Sequence, residues 1–325
     1  MKAVAPLFLV LALSAQPAAS QSAGVPQPAS NHIDTVDVTA PKLPLDQTIR
    51  NFVKSYAAPS VLANKIPKWA SGICPITEGL APDLNAGVTA YLKLIAAQVG
   101  APVDKKEPCP KANVAIVFTR TPQAVLDDIL KNHTDFLGYH EDSQLKSAAT
   151  MNHPIQAWYA TSTRDYDGFL HLDVPPSGAC EGATMEFLDF PPPGTSVADL
   201  FGRVSELCGT PAVSGRRAND GLRSEFSRVT IIVDFNKVSQ LGVRPVANYI
   251  AMLALSQTQA FDTCQPLLSI TNLLTTGCDA ALKSDELSIN DIAYLKALYK
   301  IDPDMMLGIQ QSSIADQMKT ELGGH

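Results

Sequence analysis

Arg223-Ser-Glu-Phe-Ser-Arg-Val-Thr-Ile-Ile-Val-Asp-Phe235 reads as the longest strand of the chain. It leads through a short loop into an alanine-rich helix over residues 244–259, which contains Val246-Ala-Asn-Tyr-Ile-Ala-Met-Leu-Ala-Leu255. β-Branched content marks the strand and apolar spacing marks the helix. Two further helices are expected at 288–300 and 302–319, which makes the C-terminal part helical. Upstream, residues 113–119 (Asn-Val-Ala-Ile-Val-Phe-Thr) form a second buried strand. The fold class expected from these elements is α+β, a mixed sheet packed with helices.

The folded part begins near Leu45, where Asp46 is placed to cap a helix reaching about Tyr56. Residues 69–73 suit a short strand held at its end by Cys74. Residues 84–99 repeat apolar side chains at helical spacing, and Gly100 ends that helix. Thr121-Pro122 starts a helix over 123–131. Segments 155–163 and 169–174 flank Asp165-Tyr-Asp-Gly168, a hairpin signal. Residues 176–220 are rich in Pro and Gly and read as an insertion over the surface. The domain at 45–325 is therefore expected as two lobes, about 45–175 and 221–325, around that insertion.

Before Leu45 the chain has a different character. Lys2, the apolar run 5–13 and the small residues Ala18, Ala19 and Ser20 are laid out as a secretory signal cleaved near Ser20. No later stretch is long and apolar enough for an integral membrane segment. The expected location is periplasmic or extracellular. Residues 21–44 read as a flexible arm. Within it Val36, Val38 and Ala40 alternate with Asp37 and Thr39, a strand-competent pattern that either joins the domain's own sheet or engages an envelope protein.

Composition narrows the function classes. The chain has 325 residues, 46% hydrophobic and 18% charged, with a net charge of −7. An acidic excess without a Lys/Arg cluster argues against a nucleic-acid partner. The six cysteines fall in close-spaced pairs, and the nearest-neighbour pairing is Cys74–Cys109, Cys180–Cys208 and Cys264–Cys278. Sequence leaves the connectivity open, but an exported chain favours a disulfide-stapled fold. The competing metal reading lacks a C-x-x-C or a histidine at ligand spacing.

Several motifs occur in a telling order. Lys68-Trp69 through Ile73 precedes the long helix that ends at Val99-Gly100, and a cysteine-bearing loop then leads to the strand at 113–119. Val229–Asp234 leads to the helix at 246–255, Ser269-Ile270 follows, and Ser288-Ile-Asn-Asp291 opens a segment with Tyr294-Leu and Leu298-Tyr299. This plan resembles a zincin metallopeptidase scaffold of the metzincin-like kind, and it is similar to a set of exported proteobacterial proteins. The resemblance implies a zincin-like fold with Ser269-Ile270 as the turn beneath the metal.

It also implies where the zinc motif belongs. Zincins carry His-Glu-x-x-His on a helix so that two imidazoles one turn apart converge on Zn²⁺ and the Glu serves as base. Aligned on the apolar pattern, these positions hold Asn248, Tyr249 and Met252. The third ligand falls at Thr258 and the turn methionine at Thr271. Asn and Met are poor zinc ligands, and Tyr cannot replace a carboxylate base. The expectation is a degenerate motif whose side chains pack within the helix, with no catalytic residue, no metal and no cofactor.

Other candidates are fewer. His140-Glu141 and His171-x-Asp173 are the closest His/carboxylate pairs, and His171 and Asp173 alternate on a strand and face one side. His133 follows a helix end, where the dipole explains it. Trp158, Tyr159 and Tyr166 fit cross-strand packing. No G-x-S-x-G, P-loop or G-x-G-x-x-G is present. The reading is an exported, non-catalytic protein on a zincin-like scaffold, binding a peptide or envelope protein along an edge strand. The alternatives are a secreted metal-dependent hydrolase with atypical ligands from His140, Glu141, His171 and Asp173, or an envelope structural and assembly protein recruited by residues 33–41.

Overall fold

The computed structural model describes residues 44–106, 109, 111–173, 211–259 and 262–323. The signal segment, the arm, the Cys180–Cys208 pair and most of the expected insertion lie outside the described residues.

Strands β1 (Pro75–Glu78), β2 (Val114–Thr119), β3 (Ile155–Arg164), β4 (Leu170–Leu172) and β5 (Arg223–Asp234) form one sheet in the order β1-β2-β5-β3-β4. β1, β2 and β5 are parallel neighbours, while β3 pairs antiparallel with both β5 and β4. The fold is thus α+β with a mixed sheet, and both expected lobes contribute to it. β5 occupies the centre because it is apolar on both faces. Val229, Ile231, Ile232 and Val233 are all fully buried, as a strand covered on two sides requires.

The helices are α1 (Leu45–Tyr56), α2 (Pro82–Val99), α3 (Pro122–Asn132), α4 (Asp142–Ala148), the single turn α5 (Phe235–Val238), α6 (Val243–Leu255), α7 (Ile289–Lys300) and α8 (Leu307–Gly323). The larger core joins one face of the sheet, through Val229, Ile231 and Val233, to α1, α2, α6, α7 and α8. Ile232 points the other way, into a smaller core with Leu126 and Ile129 of α3, Leu137 and Trp158. That division follows from the two-residue repeat of a strand. Disulfides Cys74–Cys109 and Cys264–Cys278 form as expected, with Cα atoms 5.9 and 5.4 Å apart. Among the described residues no helix is long and apolar enough to cross a membrane.

Four local expectations need correction. Residues 69–73 are not a strand: Ile73 bonds the 102–104 connection through Pro102 O and Asp104 N, and Trp69 Nε1 donates 2.8 Å to Ala254 O. Side-chain anchoring, not a ladder, explains the apolar residues there. Asp46 does not cap α1; it lies in the first turn and pairs with Arg50 at 3.1 Å and with Lys319. Helix α6 stops at Leu255, because residues 257–259 turn back extended beside Tyr56 and Ala58. The last helix starts at Leu307, since Met305 and Met306 are held by Asn219 and Ala218. Helix α4 was not anticipated at all.

Candidate functional site

Beyond its exposed first turn, helix α6 is buried on every side, all ten residues from Val246 to Leu255 included. Asn248 is 1% exposed, Tyr249 2% and Met252 0%. Asn248 Oδ1 accepts from Tyr91 Oη at 2.7 Å and from Leu287 N at 3.1 Å, while its Nδ2 donates to Arg244 O at 2.9 Å. Both lone pairs of that oxygen are therefore engaged. Burial holds the Tyr249 hydroxyl well above the usual tyrosine range. The set does not fit a zinc ion: its one good oxygen is occupied, and Met252 is enclosed in apolar packing.

The turn and the closing helix identified in the sequence do meet. Asp291, fully buried, accepts from Ser269 Oγ at 2.6 Å, Ile270 N at 2.9 Å and Ser288 N at 2.8 Å. Ser288 Oγ in return accepts from Asp291 N, closing a capping box at the start of α7. Burial raises the Asp291 pKa and these donors oppose it. The arrangement staples α7 to the 269–271 turn.

Elsewhere a groove of about 750 Å³ runs along β3, lined by Ala157 and Tyr159 on its floor and by Ser60, His140, Gln257 and Thr258 among its walls. None of Asn248, Tyr249 or Met252 lines it, whereas Thr258 does. Two pairings build it. Ala57 bridges Thr258 antiparallel, with Ala58 N donating 3.1 Å to Gln257 O. Gly138 bridges Tyr159 at φ +78°, where a Cβ would lie 2.0 Å from Tyr159 O, so only glycine fits. The single Tyr159 Oη proton is shared between Leu253 O at 3.0 Å and Ser256 O at 3.2 Å, tying β3 to the end of α6.

The ladder fixes which backbone groups face this groove. Antiparallel pairs alternate between bonded and unbonded, and Asp234 N donates 2.9 Å to Pro154 O. Counting along the register, Gln156 and Trp158 bond β5, while Ala157 and Tyr159 turn their N–H and C=O away from it. Gly138 covers Tyr159, and Ala157 meets no partner on that side among the described residues.

Comparison with protein-family models, curated proteins and solved structures finds no match.

The alternative ligand set does not assemble. His140 lines the groove, and burial lowers its pKa and so favours the neutral ring. Glu141 accepts from Tyr139 Oη at 2.8 Å. His171 and Asp173 share one side of the β3–β4 hairpin, but each has its own partners. His171 Nε2 lies 3.0 Å from Asp165 Oδ2, and Asp173 accepts from Thr161 at 2.5 Å and Thr163 at 2.7 Å. Burial opposes ionisation of Asp165, yet bonds from His171, Ala212 and Phe169 hold its pKa low. Among the described residues no three His, Cys, Asp or Glu side chains gather to hold a metal ion. Ser60 and Gln257 were missed in the sequence, where neither carries a motif.

Proposed function

We propose that this chain is an exported, non-catalytic binding protein on a zincin-like scaffold, taking an extended peptide or partner segment along β3. The observation that carries the reading is the state of Asn248. Its hydrogen-bonding capacity is directed at Tyr91, Leu287 and Arg244, so the helix that would grip an ion in a peptidase serves as packing. The groove supplies the complementary half. Ala157 turns its N–H and C=O away from β5 with no backbone partner among the described residues, the element that strand addition uses. The secretory layout of residues 1–20 and the two disulfides support an exported location.

Two measurements test this. The exported protein should contain well under one transition metal per chain and hydrolyse no peptide; a chelatable zinc whose removal abolishes hydrolysis would overturn the reading. Separately, Ala157→Pro removes an outward N–H without disturbing the β5 ladder, a substitution strand edges accept. It should abolish capture of extended peptides while leaving the thermal melt in place. Undiminished capture by Ala157→Pro would move the binding surface away from β3.

A further inference from the structure

β1, β2 and β5 run parallel, so their carboxyl ends come out along one edge of the sheet. The chain leaves those ends toward opposite faces. β1 leads into α2, and β5 leads through the α5 turn into α6; both helices pack in the larger core. β2 leads into α3, which packs in the smaller core on the other face. Neighbouring strands whose following helices take opposite faces leave a crevice between their ends, the place where open α/β sheets hold ligands. A cavity of about 360 Å³ lies there, lined by Gly79 after β1, by Phe118, Thr119 and Arg120 at the end of β2, and by Phe235 after β5.

The fold fixes this lining. Gly79 has φ +94°, and a Cβ there would lie 1.9 Å from Phe118 O, so the chain closes on β2 only as glycine. Asn236 Nδ2 donates 3.0 Å to Arg120 O, and Thr119 Oγ1 accepts from Thr121 N at 3.1 Å. The Arg120 guanidinium lies over the Phe235 ring, 5.1 Å from its centroid. That contact occupies a face of the guanidinium and leaves its in-plane N–H donors unused. Among the described residues no carboxylate pairs with Arg120. Glu78 and Asp234, which end β1 and β5, do not line the cavity, and Asp234 is engaged by Asn236 N and, at 3.6 Å, by Lys237.

The one charge in the lining is positive and forked, the geometry that takes an oxyanion through two parallel N–H···O bonds. One guanidinium balances one negative charge. A phosphate dianion would keep a charge unpaired, because no second cation lines the cavity and the whole chain carries −7. A carboxylate is the match. The Phe118 and Phe235 rings offer the rest of the ligand an apolar surface. We propose that this crevice is a second binding site, independent of the β3 groove, for a small monocarboxylate with an aromatic or aliphatic body.

The test titrates phenylacetate into the full exported chain and follows saturation by NMR, beside phenylacetamide, phenethylammonium and benzylphosphonate. Phenylacetate should bind saturably and roughly 10- to 100-fold more tightly than the amide, the effect of a charge-assisted pair. Arg120→Gln should remove that preference, and Arg120→Lys should keep only part of it, because an ammonium lacks the fork. Both variants should leave the thermal melt in place, Arg120 being exposed. Ala157→Pro should change nothing, which separates this site from the peptide reading. No saturable binding of phenylacetate, equal affinity for acid and amide, or a preference that survives Arg120→Gln overturns the site. Tighter binding of phenethylammonium or benzylphosphonate overturns the carboxylate assignment. Loss of phenylacetate binding in Ala157→Pro transfers the ligand to the β3 groove and overturns the crevice.

Discussion

Replacing Asn248 with Ala separates a packed helix from a degraded metal cleft. In the packed arrangement the substitution strips a partner from Leu287 N, from Tyr91 Oη and from Arg244 O at once. Tyr91 is partly buried and Arg244 exposed, so their groups turn to water, and the Leu287 N–H is the group left short of a partner. That orphaned group at about 1–3 kcal/mol, with the small void left at a site 1% exposed, gives a loss of about 2–4 kcal/mol. In a domain this size that corresponds to a Tm fall of roughly 3–8 °C. Urea unfolding followed by circular dichroism measures it directly, with the m-value checked for constancy. Tyr91→Phe should cost about 1 kcal/mol alone and nothing further in the Asn248→Ala background, since the two side chains share one bond. A loss below ~0.5 kcal/mol for Asn248→Ala, the value expected at a wetted surface position, would refute the packed-slot argument.

Lys65 is 1% exposed, and its Nζ contacts Asp304 O, Met305 O and the Asp220 carboxylate at 3.0, 3.0 and 2.8 Å. Lys65→Met should therefore cost about 3 kcal/mol and expose residues 211–221 to limited proteolysis, an effect absent if the ammonium is dispensable. The disulfides predict redox dependence: breaking Cys264–Cys278, which closes a separation of 14 residues, should remove roughly 3 kcal/mol. Equal melting with and without reductant would contradict that. Burial raises the pKa of Asp173, so the fold binds its proton more tightly than the unfolded chain does. That contribution is full below the ordinary aspartate pKa and is lost as pH rises through the raised value. Urea melts from pH 4 to 7 should accordingly show Asp173→Asn gaining on the wild type with rising pH, and a constant difference would count against it.

The parts of this fold that were legible from sequence are those whose side-chain period equals their burial period. β5 carries a continuous β-branched run because the central strand is covered twice, β2 buries alternate residues, and α2 shows helical spacing ended by Gly100 at φ +84°. Helix α4 was illegible because it buries no residue, so no apolar stripe existed to be seen. Its only sequence signal was the Glu141 and Gln144 capping pair, which structure shows as reciprocal bonds. The groove was hidden for another reason. Ser60 and Thr258 come together through the pairing of Ala57 with Thr258, a non-local bridge that local pattern does not encode. Thr258 was singled out by alignment to a metal ligand; its place in the groove comes from the chain reversal after Leu255.

That reversal explains why the candidate surface lies at the end of α6 and not along its side. A helix that presents one face to a cleft keeps that face polar and open, whereas α6 places Ala247, Ala251 and Ala254 among larger apolar residues and is enclosed all round. With no exposed face, the only backbone groups α6 offers its surroundings are its terminal carbonyls. Tyr159 takes those of Leu253 and Ser256, and Trp69 takes that of Ala254. The hydroxyl of Tyr299 takes the carbonyl of Leu255 at 2.9 Å. Three aromatic side chains from β3, the 69–73 segment and α7 thereby fix the helix end, and the chain leaving it carries Gln257 and Thr258 into the groove at a set position. The clamp therefore sets where the chain after α6 turns back along Ala57 and Ala58.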